Sequence, residues 1–128
     1  MADMQTALRK RILAAGAAPR VIWGRNVPQG TALPYLQLFI ASDPRPGHLK
    51  GYNGGRNTRV QADCKAASYA EAKAMSDALV PLLAVPTTID GIKFGRTRAE
   101  GPQDLGEDTA AGFVHRMSLD LLVWHRPA

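Results

Sequence analysis

Cysteine is nearly absent: Cys64 stands alone in 128 residues. One thiol excludes an intramolecular disulfide framework and a thiolate-rich zinc site. Cys64 also alternates with polar neighbours, a setting where a small buried thiol is the ordinary occupant and reactive chemistry is not expected. No apolar run approaches the length of a membrane-spanning helix, so no membrane partner is expected. The opening "MADMQTALRKRILAAGAAPR" has no secretory apolar core, because Arg9, Lys10 and Arg11 interrupt it. The chain is therefore expected to be made and kept in the cytosol unless a larger assembly carries it elsewhere. Aromatics are scarce too, at three Tyr, three Phe and two Trp. A base-stacking platform needs several of them interleaved with basic residues on one face, and no ribonucleoprotein signature is present.

The chemical motifs are missing in turn. The stretch "GHLKGYNGGRNTRVQADC" (Gly47 to Cys64) mixes glycine with basic residues, as phosphate-binding loops do. A Walker loop, however, ends in Gly-Lys-Ser/Thr and opens a helix, and a Rossmann turn also leads into a helix. Here a strand pattern follows, so no nucleotide or other cofactor is expected. His48, His115 and His125 are far apart. His115 and His125 share one face of the last strand but lie roughly 33 Å apart at strand rise, too far for a common metal. His115 reads as a partly buried histidine and His125 as an exposed one near the terminus. Asp104, Glu107 and Asp108 lack calcium-loop spacing and read as a solvated acidic loop. Ser42, Ser68, Ser76 and Ser118 form no nucleophile constellation. The chain is not expected to be an enzyme.

What the sequence does contain is a charge gradient and a readable order of elements. The formal net charge is +5. Residues 1–65 carry ten Lys/Arg against three Asp/Glu, a formal +7, and residues 66–128 carry six against eight, a formal −2. Opposite halves can pair head to tail between copies, and such contacts close into rings when the rotation permits. Asp3 can cap a first helix whose buried face is Met4, Leu8 and Ile12, with Arg9 and Lys10 in water. "RVIWG" is a short strand. "PYLQLFIAS" is a strand apolar on both faces, hence central and covered on both sides. "DPRPGHLKGYNGG" is a long connection. In "RNTRVQADCKA", Val60, Ala62 and Cys64 alternate with a wet face of Arg59, Gln61, Asp63 and Lys65, and Arg56 lines up with Arg59 and Lys65. Ser68 and Glu71 form a capping box before the stripe Ala72, Met75, Leu79 and Leu82. Pro81 ends or kinks that helix near Val80. "TTIDGIKFGRTRAEG" is one or two strand pieces broken at Gly91, "GPQDLGEDTAAG" the acidic loop, and "FVHRMSLDLLVWHR" a long last strand. The order α-β-β-β-α-β-β predicts one domain over residues 1–128: an α+β sandwich, its mostly antiparallel sheet packed against two helices.

The helix "MQTALRKRILA", the turn and strand "VPQGTALPYLQLFIAS" and above all "RVQADCKAASYAEAKAMSDALVPLL" resemble the tail-completion or tail-terminator proteins of long-tailed bacteriophages and of related prophage or gene-transfer particles. That family has, in this order, a Pro-Tyr strand, a variable loop, an Arg-Val-Gln strand and a helix opening Ser-Tyr-x-Glu-Ala. The resemblance implies a structural virion protein made in the bacterial cytoplasm, with no enzymatic activity. It implies a homo-oligomeric ring, usually a hexamer, seated on the last ring of tail-tube protein. The ring stops tube polymerisation and joins the tail to a head connector or stopper protein, while double-stranded DNA only passes through its lumen. The basic residues Arg45, His48, Lys50, Arg56 and Arg59, with Tyr52, are the candidate assembly interface. Two other readings stay open: a neck or head-closure protein of the same machinery, and a small basic nucleic-acid-binding domain.

Overall fold

The computed structural model describes residues 3–28, 30–43, 55–109 and 112–127. Its elements run α1 (Met4–Ala14), β1 (Val21–Trp23), β2 (Tyr35–Ser42), β3 (Arg56–Ala66), α2 (Tyr69–Leu83), β4 (Thr87–Ile89), β5 (Ile92–Phe94), β6 (Arg98–Thr109) and β7 (Gly112–Pro127). The strands form one sheet in the order β1-β2-β3-β7-β5-β4, with β6 also paired to β7. β1 runs parallel to β2 and every other pairing is antiparallel. The α+β class and the two helices are as the sequence predicts. The sheet is a curled mixed sheet of seven strands, however, and not the five-stranded sandwich expected. Among the described residues no helix is long and apolar enough to cross a membrane.

One apolar core lies between the helices and one face of the sheet. Leu36 and Leu38 of β2, Val60, Ala62 and Cys64 of β3, and Met117, Leu119, Leu121 and Val123 of β7 supply the sheet side. Their spacing of two residues is the strand period, so each strand sends alternate side chains into the core. α1 contributes Met4, Ala7, Leu8 and Ile12, and the side chain of Asp3 accepts the Thr6 N–H as its cap. α2 contributes Ala72, Met75, Leu79 and Leu83. Leu83 takes the place expected of Leu82, which is only partly buried. The cap of α2 is half the predicted box. Ser68 Oγ accepts from the Glu71 N–H at 3.2 Å, but Glu71 answers the Ser68 hydroxyl and not its backbone.

Pro81 does not end α2, which continues to Leu83. Pro81 and Asp77 are both exposed, so water can serve the Asp77 carbonyl that a helical N–H at position 81 would have met. The last turn is held from another element. Arg11 of α1 is 6% exposed, and its Nη2 donates to the carbonyls of Leu82, at 2.7 Å, and Val85. The guanidinium stands 5.7 Å from the centre of the Phe94 ring, a cation–π contact inside the core.

Two further expectations change, and the break expected at Gly91 holds. β2 is central, but among the described residues the face bearing Tyr35 and Phe39 meets no second layer. Arg25 lies 4.4 Å over Phe39 and Lys65 lies 5.8 Å from the Tyr35 ring centre, so cations cover it instead. "TTIDGIKF" is a hairpin, β4–β5, whose turn residues Asp90 and Gly91 have φ of 48° and 79°, the positive values a tight two-residue hairpin needs. The predicted acidic loop is strand β6. It pairs with β7 from Arg98↔Leu122 to Thr109↔Gly112, with a register shift between Glu100 and Gln103.

Candidate assembly surface

Among the described residues the helices cover one face of the sheet and nothing layers the other, so the sheet register decides which charged side chains lie on the uncovered face. Thr58 and Val60 point to the helices, and so does Arg56, an even number of residues away. Arg59 and Lys65 point the other way. The predicted alignment of Arg56 with Arg59 and Lys65 therefore fails, since the two arginines stand on opposite faces of β3. Arg45, His48, Lys50 and Tyr52 lie outside the described residues.

Arg56 is held inside the chain. It pairs with Asp43, and the other Asp43 oxygen accepts from the Thr58 hydroxyl at 2.8 Å. Thr58 is fully buried and its oxygen also lies 2.7 Å from His125 Nε2. A hydroxyl has one proton. With that proton on Asp43, His125 donates through Nε2–H, which in the neutral imidazole selects the Nε2–H tautomer. Burial lowers the His125 pKa, and the Arg56 charge lowers it further against a smaller opposing pull from Asp43. His125 is 6% exposed, not the exposed terminal residue expected. β5 and β3 flank it on either side, which no local pattern near the terminus announces.

Arg59 grips Asp120 across the open face, with Nε and Nη2 at 3.0 and 2.7 Å from one carboxylate oxygen. Both side chains are well exposed, so water screens the pair and it adds little to stability. Further along, Asp63 is 3% exposed although the sequence places it on a wet face. It accepts from the Ser118 hydroxyl at 2.8 Å and from Gln61 at 3.2 Å. The curl of the sheet brings Ser42 of β2 and Glu100 and Gln103 of β6 to the two sides of a trough of about 730 Å³. Arg59 and Arg116 line it together with Glu100 and Asp120. Cations and carboxylates are balanced, so the trough offers no basic track for a phosphate backbone.

Cys64 is fully buried, and burial together with Asp63 pushes its thiol up to about 12. It is a core residue, as expected.

Besides Val80 and Val85 near the end of α2, exposed apolar side chains gather at the two ends of β7. At one end, β6 is exposed along nearly its whole length and carries Asp104, Glu107 and Asp108. Phe113 and Tyr69 are 49% and 45% exposed there, with His115 between them at ring distances of 4.9 and 6.3 Å. At the other end Leu122 is 37% exposed beside half-buried Trp124, with Lys93, Arg98 and Arg126 around them. Arg126 lies 6.0 Å from the Trp124 ring centre. Sequence reasoning missed both ends, because β6 carries no alternating apolar pattern and the basic residues come from three strands.

Among the described residues these features define a small α+β domain with one sheet face covered by helices and an exposed β6–β7 hairpin. Compared with known proteins, the chain matches no family model and no curated protein. Among solved structures it is similar to a chain described as "Virion of native gene transfer agent (GTA) particle". The two chains are 14% identical, the match covers 97% of this chain and 93% of that one, and the TM-score is 0.57. At that identity the likeness establishes a shared fold, end to end.

Proposed function

We propose that this chain is a structural virion protein of a phage-like particle, one that forms a ring at the head-proximal end of a tail. In this reading the ring ends tail-tube polymerisation and presents a surface to the head connector, and the protein acts by assembly and not by catalysis. The observation that carries the reading is the end-to-end likeness to a virion chain, covering 97% of this chain and 93% of the other. The charge-balanced trough supports it against the nucleic-acid-binding alternative, since a binder of DNA needs a surplus of cations facing the phosphates.

The test is negative-stain imaging and native mass spectrometry of the purified protein, alone and with tail-tube protein. Rings in solution, or caps on tube ends, are the expected result. A species that stays monomeric and leaves tubes uncapped would overturn the proposal. A parallel salt titration with duplex DNA should show no specific binding at physiological ionic strength. Tight binding that weakens steeply with salt would favour the nucleic-acid reading instead.

A further inference from the structure

The two ends of β7 are complementary to each other and cannot meet within one chain. Trp124 lies eleven residues beyond Phe113 on the same strand, about 36 Å away at strand rise. At the Phe113 end the apolar centre is aromatic and its border is acidic. Asp104 and Asp108 pair in register with Met117 and Phe113, so they sit on the same side of the sheet as the aromatic rings. At the Trp124 end the apolar centre is bordered by cations in excess, with Glu100 and Asp120 on the side toward the trough and Asp120 already held by Arg59. Lys93 stands directly across from Arg126, and Arg98 directly across from Leu122, all on the open face.

Among the described residues none of the charges on Asp104, Asp108, Lys93, Arg98 and Arg126 is neutralised by an ion pair, although Arg126 also stacks on Trp124. Lys93 and Arg126 are also like charges facing each other, an arrangement that costs stability unless an anion comes between them. The aromatic rings are held ready by glycine. Phe113 lies over Gly106 and Trp124 over Gly95, so that a Cβ at either glycine would run into the ring. Each ring is thereby laid against the neighbouring strand.

We infer that the acidic, aromatic end of one copy docks on the basic Trp124–Leu122 end of the next, head to tail. The inference rests on the assembly role proposed above and names the contact that builds it. The surface is two different patches on one chain, so the contact is heterologous and can propagate around a ring. Self-pairing of either end is disfavoured by like charge, which fixes the direction of assembly. The charge polarity that matters runs along β7, not between the N- and C-terminal halves of the sequence.

Charge reversal tests this in full-length protein, with mass measured by native mass spectrometry and sedimentation, alone and on tail-tube ends. One variant carries Arg98→Glu and Arg126→Glu, so both of its ends are acidic. The other carries Asp104→Lys and Asp108→Lys, so both of its ends are basic. Each alone is expected to lose assembly by at least tenfold in the concentration required. An equimolar mixture is expected to regain it, with the two variants alternating. A charge-matched control, Lys10→Glu with Arg20→Glu, should assemble as the wild type does. If each variant assembles normally alone, or if the mixture does not recover, this contact is wrong while the ring remains. If the control fails as the first variant does, net charge and not the patch is responsible, and the contact is again wrong. If the wild type forms neither rings nor caps, the assembly role itself falls.

Discussion

Replacing Arg11 by methionine separates two opposing effects that the core holds in balance. The guanidinium is 6% exposed, meets no carboxylate among the described residues, and leaves Nη1 buried without a partner. Burial lowers its pKa. Removing a desolvated charge returns several kcal/mol, and this effect alone would make methionine stabilising. Against it stand two charge-assisted hydrogen bonds to the Leu82 and Val85 carbonyls, each worth about 1.5–3 kcal/mol, and the stacking on Phe94, worth about 1 kcal/mol. Methionine fills a similar length but donates nothing, so the end of α2 loses its donors. Charge removal on this scale offsets part of the loss, and we expect a net destabilisation of about 2–3 kcal/mol. For a chain of this size that corresponds to a fall of roughly 8–12 °C in Tm, read by circular dichroism at pH 7. Arg11→Lys keeps the charge with a single donor head and should lose about half as much. An unchanged or raised Tm in Arg11→Met would refute the reasoning, because it would mean that the carbonyls find other donors and desolvation dominates.

Two more outcomes follow from buried groups. The folded-state pKa of His125 lies below the unfolded value of about 6.5, so the unfolded chain binds more protons in mild acid. Stability is therefore complete above about pH 6.5 and declines as pH falls below it. His125→Gln keeps an N–H for Thr58 and cannot titrate, so its Tm should vary less between about pH 7 and about pH 5.5; equal slopes in the two proteins would assign the effect to another group. Cys64 should give no signal with a thiol reagent in the native protein at about pH 8, where a pKa of about 12 leaves a thiolate fraction on the order of one in ten thousand. Full reaction is expected in denaturant, and rapid native labelling would show that β3 opens locally.

The parts legible in the sequence are those whose pattern is written by the core. The stripe of α2 and the alternation of β3 record burial on one side, and the Asp3 and Ser68 caps are local chemistry between residues three apart. β6 was not legible for the complementary reason. Its residues are exposed on both faces, so no alternation is imposed, and it is a strand because β7 offers it a ladder. Arg11 and His125 escaped notice because their partners lie far along the chain. Arg11 reaches Leu82 and His125 reaches Thr58, while each sits in a local sequence that reads as surface. Of the six residues expected to form the interface, Arg56 and Arg59 are in the described structure, and both are engaged by carboxylates of their own chain.

The register shift in β6 has a bearing on how the exposed edge of the sheet is protected. β6 is a long strand at the rim of the sheet, and a bare rim of that length invites other sheets to grow onto it. Pro102 has no N–H to offer, and the shift between Glu100 and Gln103 breaks the ladder beside it. Beyond the break, any strand laid against the rim must bring its backbone past Asp104, Glu107 and Asp108. Fibrous growth through the backbone is thereby obstructed, while side chains remain free to recognise a partner.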